Sequence, residues 1–526
     1  MAYVAPNSTV EFFSDLGLND NYDDTLYFAS ESAKNSYFSG LTKLATGTAM
    51  TYTREQRGFL RVELPMSTLI SASYMRYKNT SFENKWFYAF IKNVEYINNN
   101  CTQVNFSIDP MMTWMGTFHL NQCFIERQHV SDDAIGANLV EENLDYGDYI
   151  YINSSPTGFF DDNTDYATIV LTTLNYQGTG FDSTYDLYEG VYAAAKPHIY
   201  MTNTQAGKDA LQTFVINVNT NGFQDAIVSM YQVPTQFVSN VHTPLICAPV
   251  SKPYHDIDGY VPKNNKLFTY PYNVLEVSNM EGVFTEYKYE FFSTPSNVNF
   301  EIIYNFLAPV QAVLYPKYYK GITNNYQDST VMGSFPSSSF PNDTYKAYLA
   351  QVGSNALVSA FHETIGGAVK GGLSGGTSGA IIGAGMGLLT LPQQAMSPLV
   401  EKVANKLGGR SYRANRPNLA NGSATVSSFY ANHLKDFYFN KKQIKAEFAE
   451  IIDNYFTMFG YSILKAGVPN MNVRPYWTFV KTIGCSVDGD IPADDASTIE
   501  NIFNKGVRFW KNHNNIGNYS LNNTPT

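Results

Sequence analysis

Charge is scarce in this chain. Of its 526 residues only 15% are Asp, Glu, Lys or Arg, against about 25% in ordinary soluble domains. What charge there is sums to −11. A grip on nucleic acid needs clustered Lys and Arg to displace counterions, so that function is excluded, while DNA passing without adhering is compatible. Cysteine is scarcer still: Cys101, Cys123, Cys247 and Cys485 form no CxxC pair. Free thiols in a reducing cytoplasm are the simple reading. The eight histidines keep no HxH or HxxxH spacing, so no zinc site is legible. The start, MAYVAPNSTVEFF, has neither a basic nor an apolar signal region, and no export signal is expected.

Catalytic patterns are missing too. No GxxxxGK[ST] occurs. Gly372-Leu373-Ser374-Gly375-Gly376 matches a nucleophile elbow as a string, but no strand precedes it, and glycine-dense sequence matches such patterns by chance. Asp488, Asp490, Asp494 and Asp495 resemble a calcium loop at only two ligand positions, with Pro492 and Ala493 where a ligand and the turn glycine belong. A helix-capping turn fits better. The chain reads as a non-enzyme without cofactor or metal.

Aromatics are plentiful: 39 Tyr and 35 Phe make most of a 15% aromatic fraction. Together with Thr, Asn and Ser they indicate a mainly β, multidomain protein, too long for one core of roughly 250–300 residues. Residues 1–155 read as a strand-rich domain. Leu60, Val62 and Leu64 alternate with Arg61 and Glu63, and 86–97 and 101–109 form a long hairpin with Val104, Phe106 and Ile108 on one face. Residues 156–342 continue in strands, interrupted by one helix near 206–218. After 416 a C-terminal segment completes the first domain. It carries a helix with Ile444, Phe448, Ile451, Ile452, Tyr455 and Phe459 on one face and Gly460 as C-cap. A second helix is expected to start at a capping box, Ser497-x-x-Glu500, and to bury Ile499, Ile502, Phe503 and Trp510.

Between these parts lies a different kind of sequence, 343–415. Leu349, Val352, Leu357, Phe361 and Ile365 sit near helical spacing. From Gly366 to Leu389 ten of 24 residues are glycine, and Gly367, Gly371, Gly375, Gly379, Gly383 and Gly387 keep a step of four. Ile381, Ile382, Met386, Leu388, Leu389 and Leu391 are interspersed, and no charge falls between Lys370 and Glu401. A flexible linker is the bland reading, though linkers alternate Gly with Ser rather than with Ile and Leu. A buried core hairpin is another, weakened by a cost of about 1 kcal/mol for each helical glycine. The third is conditional membrane insertion. A step of four draws a smooth groove along a helix, letting neighbouring backbones approach, and the uncharged run exceeds the roughly 20 residues that span hydrocarbon. Pro392 and Pro398 argue against a permanently resident span. Lys402, Lys406, Arg410, Arg413 and Arg416 then face a single Glu401. By themselves they read as a solvated surface run; beside an apolar segment they suit anionic lipid, at about 1 kcal/mol each. The combination favours insertion.

Short strings along the chain carry a resemblance. They include Met1-Ala2-Tyr3-Val4, Asn84 to Phe90, Thr113-Trp114-Met115, Phe124-Ile125 with Arg127 and His129-Val130, and Leu144 with Tyr146-Gly147. Further on come Lys445-Ala446-Glu447, Gly460-Tyr461, Pro469-Asn470, Gly489-Asp490-Ile491, Ile502-Phe503 and Ile516 to Ser520. In this order the chain resembles the tail knob, or distal tube, proteins of small short-tailed phages of Gram-positive hosts, the Picovirinae-type podoviruses. The resemblance is dense over 1–155 and 436–526, positional over 341–420 and weak over 156–340. It implies a homohexameric β-tube at the distal end of the tail, docked on the lower collar (proximal tail tube) protein. Phage DNA would pass through the lumen without sequence-specific binding. It implies as well that six hydrophobic loops, here 343–415, plug the tube and later perforate the host cytoplasmic membrane. Wall-binding adhesin and wall-degrading enzyme are the alternative classes, the first for its surplus of rings that can stack on sugars.

Overall fold

The computed structural model describes residues 7–50, 58–158, 165–172, 176, 187–188, 191–192, 196–221, 227–239, 243–279, 282–305, 311–332, 337–338 and 436–525. The chain divides into two compact units. One is made of Met1–Asp148, His255–Tyr272 and Ile444–Thr526, the other of Tyr149–Tyr254 and Asn273–Gln443.

The first unit holds an antiparallel sheet in the order Ala45–Met50, Ser8–Phe13, Tyr74–Lys78, Phe87–Asn98, Cys101–Ile108, Phe59–Val62. The expected hairpin is its longest pair, with Val94 facing Val104. Val104, Phe106, Leu60 and Val62 are buried, following the period of two. Helix Glu31–Gly40 is capped by Ser30, whose hydroxyl accepts from the Ala33 N–H at 3.2 Å. It delivers Phe38 to the rings of Phe13, Tyr74 and Tyr88, with centroids 5.8, 6.1 and 4.7 Å away. Such ring pairs add about 0.5–1.5 kcal/mol beyond area burial. Part of the tyrosine surplus is spent inside this core, where the Tyr74 hydroxyl donates to Asp109 at 2.8 Å.

A second sheet runs Asp24–Leu26, Val507–Trp510, Trp477–Ile483, Cys123–Gln128, Tyr461–Gly467. Asp24–Leu26 lies parallel to Val507–Trp510, so the two ends of the chain meet in one sheet. Trp477 and Trp510 pack at 4.8 Å in the core that both sheets share.

Helix Ala446–Phe459 ends where expected, with Gly460 at φ 64 donating its N–H to Phe456 O at 2.8 Å. Its inward face differs from the apolar count. Ile444 closes the preceding strand and Ile451 is 66% exposed, while Asp453 and Phe456 turn in. The cause is Asp453. Its carboxylate accepts from the Tyr260 hydroxyl (2.8 Å), the N–H groups of Lys263 (2.8 Å) and Asn264 (3.0 Å), and the Asn264 amide (2.9 Å). Four partners make a buried carboxylate tolerable and fix the helix's rotation. The same bonds bind segment 255–272 to the first unit, although the sequence places it amid 156–342.

Helix Ala493–Lys505 corrects the capping-box expectation. It begins four residues before Ser497, which lies in its interior, and the Glu500 carboxylate accepts from Val487 N–H at 3.0 Å instead of capping. Pro492 opens the helix, and Asp494 and Asp495 sit in the first turn, where the dipole favours acid. Ile499, Ile502 and Phe503 are buried as expected, and Trp510 is buried in the following strand.

The second unit comprises three main sheets. One runs Tyr149–Pro156, Tyr438–Ile444, Asn273–Ser278, Phe284–Tyr287; another Lys196–Tyr200, Tyr166–Thr172, Ile227–Pro234, Ser337–Ser338. The third centres on the antiparallel pair Asn297–Asn305 and Gln311–Tyr319. The single helix expected in the middle spans Gln205–Thr220.

Candidate functional site

The site that the sequence nominates lies outside the described residues. That holds for Leu357, Phe361, Ile365, the glycines from Gly367 to Gly387, the apolar residues from Ile381 to Leu391, and the basic group Lys402, Lys406, Arg410, Arg413 and Arg416. Its root on either side is described. Strand Ser337–Ser338 pairs Met230 with Ser338 and Tyr231 with Ser337. Strand Tyr438–Ile444 pairs from Tyr438 to Gln443 with Asn273–Ser278.

Asp436 is the first described residue after the insert, and its carboxylate works as a clamp. It accepts from the Thr157 hydroxyl, the Gly158 N–H and, at 2.8 Å, the Phe437 N–H. Thr157 N–H donates to Phe437 O at 2.9 Å, closing the loop of bonds. Phe437 is fully buried, and Phe439 meets Phe300 at 5.1 Å. The returning chain is thereby fixed at its first residues by both polar and apolar contacts.

Further along, polar side chains line the returning strand. Ser154 Oγ donates to Asn440 Oδ1 at 2.6 Å, and Asn440 Nδ2 donates to Glu276 Oε1 at 3.2 Å. Lys442 reaches Glu286 at 2.6 Å and Glu276 at 3.6 Å, and lies 4.5 Å from the centre of the Tyr149 ring. Burial works to lower the Lys442 pKa, but the bond and attraction to Glu286, with Glu276 behind, outweigh it and hold the ammonium above the ordinary lysine value. Burial, reinforced by Glu276, pushes the Tyr151 hydroxyl up. The arrangement fastens a strand; it offers no nucleophile beside a base. Among the described residues no group of three or more His, Cys, Asp and Glu is placed to hold a metal ion. Nor is any described helix long and apolar enough to cross a membrane. Asp436, Thr157, Asn440, Glu276 and Lys442 were not singled out in the sequence.

The fold has a solved counterpart. The bacteriophage C1 tail knob protein, gp12, matches with a TM-score of 0.58 at 12% sequence identity, covering 98% of this chain and 99% of that one. A model described as the Caudoviral major tail protein N-terminus matches residues 6–119. The first is a likeness of fold, and the second marks residues 6–119 as similar to a phage tail protein.

The family follows from residues 229–524, which match the model described as the Bacillus phage phi29 tail knob protein gp9, C-terminal domain. Tail knob protein gp9 of Bacillus phage phi29 is 26% identical over 611 aligned positions, covering 99% of this chain and all of the relative. The gp9 proteins of phages PZA and B103 are 25% and 24% identical over similar lengths. The chain belongs to the phi29 gp9 tail knob family and is a structural component of the virion tail, not an enzyme.

Proposed function

We propose that six copies close into a tube at the distal end of the tail, seated on the lower collar protein, and that DNA leaves the virion through it. Each copy would meet the next head-to-tail, the contact type that closes rings. The insert 343–415 would plug the lumen before infection and enter the host cytoplasmic membrane afterwards. The observation that carries this is the glycine step of four within a run lacking any charge from Gly371 to Val400. Six such segments can shield one another inside a ring. Released, they prefer lipid, where backbone groups must bond internally, so the inserted form is helical and the glycine faces pack together. The basic residues from Lys402 to Arg416 would meet lipid phosphates. The acidic balance of the chain keeps DNA from sticking to the wall. Dye release from anionic liposomes tests the reading, with the full chain compared against a deletion of 350–405 whose hexameric mass has been verified. Strong leakage from the first alone supports it, and equal leakage refutes the loop assignment. Full leakage from the triple change of Gly375, Gly379 and Gly383 to Leu would make the glycine spacing incidental.

A second reading, binding of wall glycans, is favoured by a cleft of about 530 Å³ in the second unit that Tyr176, His198, Ile199 and Tyr200 help to line. Ring faces and an uncharged lining suit sugars. Cell-wall pull-down of the intact chain against Tyr176→Ala tests it, and equal retention removes this reading.

A further inference from the structure

We propose that Cys123 and Cys485 are an oxidation site, joined as a disulfide when the assembled virion meets a peroxide-type oxidant outside the reducing cytoplasm. In the sequence they stand 362 residues apart and form no motif. The fold brings them together. Strand Trp477–Ile483 runs antiparallel to Cys123–Gln128 with Ile483 opposite Phe124. One step on, Gly484 turns the chain at φ 66, and Cys485 enters the interior beside Cys123. The Cys485 backbone N–H is held by Asn504 Oδ1 at 3.0 Å, and the Thr482 hydroxyl reaches the same oxygen at 3.1 Å, so the turn is fastened. Both thiols are buried, with 7% and 6% of each residue exposed. Carried one step past Ile483, the register sets Gly484 opposite Cys123, so Cys485 follows the residue that faces it.

The two sulfurs are not equivalent. Burial raises both, but the Cys485 thiol is pushed up to about 12, by burial first and then by repulsion from Cys123. Its S–H lowers the cost of a thiolate at Cys123. Cys123 is therefore the attacking sulfur and Cys485 the resolving one. The Cys123 thiolate displaces hydroxide from hydrogen peroxide, giving a sulfenic acid. The Cys485 thiol then attacks that sulfur, forming the disulfide and releasing water. In total two thiols and one peroxide give one disulfide and two waters. A bulky disulfide oxidant such as oxidised glutathione does not fit, because its mixed intermediate needs room that the buried pair lacks. High thiol pKa values make the reaction slow, on a scale of hours rather than seconds. The product would tie the start of strand Cys123–Gln128 to the turn that leaves its neighbour Trp477–Ile483.

Intact protein is held in dilute hydrogen peroxide, quenched, and unfolded in acid with N-ethylmaleimide. Peptide mass spectrometry should then give a Cys123–Cys485 crosslink, two hydrogens lighter than the free pair. Thermal unfolding of the oxidised form should sit roughly 5 °C higher and fall back on reduction. Cys485→Ser should leave Cys123 as sulfenic or sulfinic acid with no crosslink. Maleimide-labelled Cys123 and Cys485 after overnight peroxide overturn the proposal, as does a crosslink from either to Cys101 or Cys247 in preference. If Cys485→Ser fails to fold, the wild-type crosslink and the reversible shift still decide.

Discussion

The two units fasten distant chain segments by different means. In the first, the fasteners are ions taken out of water. Glu142 is fully buried, and Lys266, Arg127 and the N–H and hydroxyl of Ser462 all converge on it. Burial alone would raise its pKa; Lys266 and Arg127 overcome that and hold it below the usual carboxylate range. Asp453 does the same work with neutral donors. In the second unit, the strand returning from the insert is held by Asp436, Asn440 and Glu276, all buried, and by Lys442 and Glu286, which keep some exposure. The lesson is one of permanence. Buried charge with every lone pair used is costly to open, whereas the Lys442–Glu286 pair, with 13% and 35% of its side chains exposed, opens at smaller cost.

Four substitutions or titrations would break or sharpen that contrast. Glu142→Ala strands two buried cations and should lower stability by about 3–5 kcal/mol; a loss under 1 kcal/mol in denaturant unfolding would remove the distinction between the units. The second acts through pH. His129 is buried, accepts from Phe479 N–H at 2.7 Å through Nδ1, and points Nε2 at Thr457 O. Burial, with Arg474 and Arg127 nearby, depresses its pKa to about 3. A depressed pKa means stability that is present above the unfolded value of about 6.5 and lost as pH falls towards 3. The expected slope is about 1.4 kcal/mol per pH unit between those limits, and His129→Gln should flatten it in urea titrations at pH 4–6. Third, Asp436→Ala should cost about 1–3 kcal/mol. Hydrogen exchange should quicken over 437–444 while Trp477–Ile483 stays protected, and equal acceleration in both would show a single cooperative body. Last, Lys442→Ala should cost under about 1 kcal/mol, and less in high salt.

Much of the body was legible because its strands obey the period of two: Leu60 and Val62 alternate into the core, and the 86–109 hairpin forms, though with two register shifts that the pattern did not announce. Gly460 was legible as a helix stop because glycine follows the last apolar helical residue, and the fold requires it, since a Cβ there would lie 2.3 Å from Gln128 O. What the pattern hid was polar. Counting apolar residues turned helix Ala446–Phe459 the wrong way, since Asp453 points inward for partners nearly 190 residues upstream, beyond any local window. Ser497 and Glu500 matched a capping string, yet Pro492 and two aspartates start that helix earlier. For the insert, sequence alone supplies the residues, and the structure describes the nearest strands on either side, Ser337–Ser338 and Tyr438–Ile444.

The pairing of Asp24–Leu26 with Val507–Trp510 has a consequence for synthesis. A ribosome must add the 484 residues that separate Asp24 from Arg508 before the first of these strands finds its neighbour. Any product terminated ahead of Trp477 lacks the central strand of that sheet. Such fragments cannot build the first unit's shared core, so premature release yields debris for proteases rather than defective parts for a tail.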